Sequence, residues 1–204
     1  TPLAIYPKGS SVAALAVNAS KQIAREGNAV PPLRKEIAII GLGKMGGNMA
    51  ARLMERGWKI MSWRRKESMS KETPVGVTIF PTIREMVRAL RRPRVVWLMI
   101  PASVPPITGL QRGEPARAPV DEILFGKSGL ASRLAKEDIV IDGGNSFYKD
   151  SVRRARELKK QGIRFLDVGV SGGPRGAREG ASLMIGGDRQ TFETLAPLFE
   201  DLAV

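Results

Sequence analysis

The sequence predicts a doubly wound α/β domain on a mostly parallel sheet, and three observations carry that reading. Short apolar runs at 37–40, 94–100 and 138–142 alternate with longer stretches of helical period. Glycine-rich turns follow several of the runs, at 41–46, 143–144 and 169–173. The first of these turns has the spacing Gly-x-Gly-x-x-Gly and leads straight into a helical pattern. That is the arrangement of a Rossmann-type dinucleotide-binding unit.

Each residue of that turn has a physical task. Gly41 makes the tight bend, Gly43 lets backbone approach a pyrophosphate, and Gly46 lets the helix pack closely. Leu42, Lys44 and Met45 complete the turn and begin the helix, whose first N–H groups and positive dipole end suit phosphate. Ala50, Leu53 and Met54 continue the apolar helix face, and Gly57 stops it. A second strand is predicted at 59–63. About 20 residues past the glycines, such a fold holds the adenosine ribose, where an acidic residue suits the 2′-hydroxyl of NAD. This chain has Arg64, Arg65 and Lys66 there, which suits the 2′-phosphate of NADP and makes NADP the expected cofactor over NAD.

Further along, residues 77–80 read as a short strand. Thr82 and Glu85 have capping-box spacing for a helix reaching about residue 90. The apolar strand at 94–100 is broken by Pro101-Ala102, so Ile100, Pro101 and Ala102 are candidates to line the cofactor. Residues 103–119 are rich in Pro, Gly and Arg without a period, and read as a surface insertion. Helical spacing returns over 120–134. A strand at 138–142 ends in Gly143-Gly144-Asn145-Ser146, and a charged helix is predicted over 149–161. A strand at 163–168 then leads to Ser171-Gly172-Gly173, another strand is predicted over 181–185, and Asp188 caps a helix reaching 202.

Composition narrows the function classes. The 204 residues contain no cysteine and no histidine, which excludes disulfides, thiolate metal sites and the commonest general base. No apolar run approaches the roughly 18 residues of a membrane span, so no membrane association is expected and a cytoplasmic location fits. The net charge is +13, but the basic residues are scattered and only 5% of residues are aromatic. No zinc-finger, RNA-recognition or helix-turn-helix pattern accompanies them, so nucleic acid is not the expected partner. Residues 1–35 read as a flexible N-terminal arm, basic and rich in Ala and Ser, with the domain boundary at Pro31-Pro32 and the dinucleotide domain at 36–204.

The segments IAIIGLGKMGGNMA, VVWLMIPA, DIVIDGGNSFYKDSVRRARELKKQGIRFLDVGVSGG and GASLMIGGD together resemble the N-terminal coenzyme domain of decarboxylating 6-phosphogluconate dehydrogenase, within the β-hydroxyacid dehydrogenases. The likeness runs from Lys35 to about Val204, except over 103–119. DGGNS and GVSGG are its specific parts; hydroxyisobutyrate-type relatives carry an Asp-x-Ser-Thr pattern in place of DGGNS. The resemblance implies an NADP-dependent oxidoreductase of the pentose phosphate pathway and gluconate metabolism. Its reaction would be the oxidative decarboxylation of 6-phosphogluconate to ribulose 5-phosphate and CO₂. It places Asn145 beside nicotinamide and substrate, and Ser171, Gly172 and Gly173 at the carboxylate end of the substrate. In the family the catalytic lysine and glutamate lie on a helical second domain that also forms the homodimer. The resemblance therefore implies a cofactor-binding half without catalytic residues of its own, inactive by itself. Two departures stand out: Arg64 where relatives usually have Asp or Asn, and Phe147 where bacterial relatives often have His. The competing readings are a stand-alone NADP-binding sensor or interaction module, and another β-hydroxyacid dehydrogenase.

Overall fold

Strand β1 (Glu36–Ile40) lies inside a seven-stranded sheet of order β3-β2-β1-β4-β5-β6-β7. The computed structural model describes residues 34–64, 74–101 and 118–204. The remaining strands are β2 (Lys59–Trp63), β3 (Thr78–Phe80), β4 (Val95–Leu98), β5 (Ile139–Asp142), β6 (Arg164–Ser171) and β7 (Ser182–Gly187). The first six are parallel, and β7 pairs antiparallel with β6. Chain direction across the sheet reverses between β1 and β4, so the crevice outside their C-terminal ends is the expected ligand position.

Helices cover both faces, which is why the central strands read as unbroken apolar runs. Ile37 and Ile39 point toward α1 (Lys44–Glu55), α5 (Gly173–Glu179), α6 (Arg189–Thr194) and α7 (Ala196–Leu202), in a core that includes Leu53, Trp97 and Phe199. Ala38 and Ile40 point the other way, toward α2 (Ile83–Ala89), α3 (Pro119–Phe125) and α4 (Tyr148–Lys160), with Met86, Leu124 and Leu158. Register between β1 and β2 is fixed additionally by the buried Ser62 hydroxyl, which donates to the Ile39 carbonyl at 2.5 Å.

Several predicted boundaries shift for identifiable reasons. The helical period over 120–134 yields a helix only at Pro119–Phe125, because Gly126 caps it and Gly129 turns the chain. Leu130 and Leu134 still reach the core from that turn. The last predicted helix is two. Asp188 caps the first, accepting from the Thr191 amide at 2.9 Å; Pro197, which lacks an N–H, starts the second at its first turn. Strand β6 extends to Ser171 because its pairing with β7 continues to Ser171 opposite Ser182. Thr82 caps α2 as predicted, accepting from the Glu85 amide at 3.1 Å. The predicted arm at 1–35 (apart from Arg34 and Lys35) and the insertion at 103–119 (apart from its last two residues) lie outside the described residues, as do Arg65, Lys66 and Ala102.

Candidate cofactor site at the C-terminal strand ends

Parallel strands bring the turns after β1, β2, β4, β5 and β6 to one end of the sheet, and the glycine turn after β1 is central among them. Gly41 has φ +103, and a Cβ there would run into the Met99 carbonyl and the Ile100 side chain. Gly46 is buried, and a Cβ on it would strike the Gly41 carbonyl. The helix thus packs on the turn itself, closer than any other residue would permit. Gly43 differs. Its φ of −74° suits any residue and a Cβ would meet nothing within 4 Å. That open space lies at the N-terminus of the 12-residue α1, where no side chain caps the helix and no acidic residue occupies the first turn. Unpaired N–H groups, a positive dipole end and free approach are what a pyrophosphate requires, so these residues fit a dinucleotide. Lys44 is exposed beside it; Leu42 and Met45 are half-buried and pack against the core.

The other described candidates lie at the same end of the sheet. Arg64 directly follows β2 and is half-buried. Ile100 and Pro101 follow β4, and Ile100 touches both glycine turns: its side chain faces Gly41 and its carbonyl faces Gly144. Asn145 is exposed, adopts the left-handed φ of +56°, and its side chain has no hydrogen-bond partner among the described residues. Ser171, Gly172 and Gly173 are exposed where β6 passes into α5. A Cβ on Gly173 would meet nothing within 4 Å. The Asn48 amide of α1 donates to the Pro174 carbonyl at 2.8 Å, tying this turn to the glycine-turn helix.

The turn after β5 rests on a network that the sequence reading did not assemble. Asp142 is fully buried. Its Oδ1 accepts from the Gly144 amide at 3.0 Å, and its Oδ2 accepts from the Ser146 hydroxyl at 2.8 Å and Arg154 Nη1 at 3.1 Å. The same Nη1 donates to Ser146 Oγ at 2.7 Å. From its other side, the buried Arg154 donates Nε and Nη2 to the two oxygens of Asp121 on α3, at 2.9 and 3.2 Å. Burial pushes the Asp121 carboxyl upward, but hydrogen bonds from Arg154 and Arg153 outweigh it and hold the carboxyl below its ordinary range. Neighbouring Asp167 on β6, opposite Asp142, is displaced the other way. Burial raises it, and the Asp142 charge adds to the rise while Arg154 opposes it. The sequence held one cue: Ser151, Arg154 and Leu158 form the buried stripe of α4, so an arginine sits where an apolar residue is expected.

The fold and this end of the sheet define a dinucleotide-binding α/β domain. The family described as the NAD binding domain of 6-phosphogluconate dehydrogenase matches residues 36–204, and the chain belongs to it. Among curated relatives, the decarboxylating 6-phosphogluconate dehydrogenase of Chlamydia muridarum is 38% identical over 174 residues, covering 82% of this chain and 33% of that protein. The Escherichia coli K12 enzyme of the same name is 34% identical over 175 residues, covering 83% and 34%. The chain thus spans about a third of the length of these relatives. Among solved structures, Plasmodium falciparum 6-phosphogluconate dehydrogenase, determined apo, with NADP+ and with 6-phosphogluconate, aligns with TM-score 0.65 at 33% identity, covering 83% of this chain and 34% of that one. Mycobacterium tuberculosis 3-hydroxyisobutyrate dehydrogenase aligns with TM-score 0.67 at 23% identity, covering 84% and 53%, a likeness of fold alone. No helix among the described residues is long and apolar enough to cross a membrane, and none of their His, Cys, Asp or Glu residues cluster as a metal site.

Proposed function

We propose that this chain is the NADP-binding domain of a decarboxylating 6-phosphogluconate dehydrogenase, converting 6-phosphogluconate to ribulose 5-phosphate and CO₂ in the pentose phosphate pathway. The observation that carries the reading is the meeting of three turns at one sheet end: the glycine turn, Asp142 to Ser146, and Ser171 to Gly173. DGGNS supports the phosphogluconate reading over the hydroxyisobutyrate one, as do the curated relatives of that name.

In this proposal the α1 N-terminus at Gly43, Lys44 and Met45 receives the pyrophosphate, and Arg64, Arg65 and Lys66 hold the 2′-phosphate. Leu42, Ile100, Pro101 and Ala102 flank the cofactor. The Asn145 amide donates and accepts at the junction of nicotinamide and substrate, while backbone N–H groups at Ser171, Gly172 and Gly173 receive the carboxylate end of the substrate. The nicotinamide, when bound, supplies a hydride acceptor for the 3-hydroxyl carbon. None of these groups is a general base, and the chain has no histidine. The homodimer and the cytoplasmic location belong to the same proposal.

Calorimetric titration of the purified 204-residue chain with NADP and NAD, beside an assay for NADPH production from 6-phosphogluconate, tests the reading. Binding with preference for NADP and no turnover is expected. Failure to bind either dinucleotide would remove the cofactor site, and measurable turnover would remove the claim that the base lies elsewhere.

A further inference from the structure

We infer that Arg154 is a positioning residue for Asn145, acting through Asp142 and Ser146. The inference rests on the proposed contact between Asn145 and the nicotinamide. Asn145 holds a left-handed backbone, uncommon outside glycine although asparagine tolerates it best, and its amide is exposed and unpartnered among the described residues. Asparagine reaches this conformation more readily than most residues, so its neighbours decide how narrowly it is held before a ligand arrives. Its two neighbours are both fastened to one carboxylate: Gly144 through its amide to Asp142 Oδ1, and Ser146 through its hydroxyl to Asp142 Oδ2. Asn145 is therefore the free middle of a three-residue bridge whose ends are fixed.

Arg154 holds the carboxylate and one end of the bridge together. Its Nη1 reaches both Asp142 Oδ2 and Ser146 Oγ, so the serine hydroxyl accepts from the arginine while donating to the aspartate. That double engagement sets the direction of the hydroxyl hydrogen and leaves Ser146 one rotamer to occupy. Asp121 fixes the guanidinium from behind through two parallel hydrogen bonds. A buried ion pair serving stability alone would need only the contact between Arg154 and the aspartates. Recruitment of Ser146, on the exposed turn beside Asn145, gives the network its bearing on the ligand.

The test compares NADPH with 2′,5′-ADP, which carries the adenosine half of the cofactor and no nicotinamide. Ser146→Ala should weaken NADPH by about threefold to tenfold, the range of one hydrogen bond, and leave 2′,5′-ADP within about twofold. Ser146→Thr, which keeps the hydroxyl, should restore NADPH affinity. Arg154→Lys should give the same split; should it fail to fold, the serine pair carries the test. Asn145→Gly keeps the left-handed backbone accessible without the amide, and serves as the reference for the site. If Asn145→Gly loses NADPH affinity while Ser146→Ala does not, the positioning role is overturned and the site stands. Parallel loss of both ligands in Ser146→Ala overturns it as well, since the network would then be structural only. If Asn145→Gly changes neither ligand, the nicotinamide contact itself is wrong and the inference falls with it.

Discussion

The turn after β1 is shaped by what its residues lack, and the turn after β5 by charges brought from two other elements. At Gly41 and Gly46 any Cβ would meet backbone, and no side chain caps the helix that follows. At Asp142 to Ser146 the backbone is pinned by a buried carboxylate, an arginine 12 residues on and an aspartate 33 residues before that arginine. Backbone approach leaves the first N–H groups of α1 free to donate to an anion. The charge network instead holds the two neighbours of Asn145, Gly144 and Ser146, against one carboxylate. The first arrangement suits affinity and the second suits geometry.

The largest expected effect lies in the second turn. Arg154→Met leaves Asp142 buried without its cation, and breaking such a pair costs about 3–5 kcal/mol. At about 2–4 °C per kcal/mol for a chain of this size, a calorimetric scan should show Tm lowered by roughly 6–20 °C. A shift below about 2 °C would mean that the network adds no stability.

Gly43→Val should act the opposite way. The backbone conformation suits valine and the space is open, so Tm should stay within about 2 °C, as for ordinary surface changes. Binding should still fail, because the side chain would occupy the pyrophosphate position. Overpacking a fitted contact costs up to about 3 kcal/mol, on the order of 100-fold in Kd. Gly46→Val, three residues away, should lower stability instead, through the Gly41 carbonyl. Unchanged NADP affinity in Gly43→Val would refute the site at the α1 terminus.

At a third strand end, after β2, the proposed contact to the 2′-phosphate depends on charged side chains. Each arginine at 64 and 65 contributes about 1.5 kcal/mol to a 2′-phosphate if it makes one exposed charge-assisted hydrogen bond. Together they amount to about a 100-fold preference for NADP over NAD. Replacing both by alanine should remove that preference and spare NAD affinity, and high salt should shrink it in the unmodified chain. Equal affinities at low salt would show that the ribose lies elsewhere.

The smallest effect concerns Asp167, beside the network. Its folded-state pKa lies above the ordinary 3.8, so the folded state holds its proton to higher pH than the unfolded state does. Its contribution to stability is therefore largest below about 3.8 and is lost as pH rises through the raised value. Asp167→Asn removes that burden. At pH 7 it should raise Tm by about 1–4 °C, the size usual for a single stabilising change, with the gain vanishing as pH falls below the ordinary value of 3.8. A gain of equal size on both sides of that value would show a packing effect and no titration.

The glycine turn was legible because its requirements are local. Spacing alone shows where the chain must bend and where backbone must come close, and an unbroken apolar strand before it shows that both sheet faces are covered. The same reasoning overran at 120–134 and at 189–202. There the apolar period persists, but Gly126, Gly129 and Pro197 decide how much of it is helix, since period reports which residues are buried and not which backbone buries them. The Asp142, Ser146, Arg154 and Asp121 network could not be read in the same way. Its members lie on β5, the turn after it, α3 and α4, and an arginine in a charged helix looks like solvated surface until α4 docks on the sheet. Local sequence by itself determined the steric demands of the phosphate turn, because excluded volume acts between neighbours along the chain. Only the tertiary structure decided which charges would be buried together, because that depends on which elements share a face once the sheet has formed.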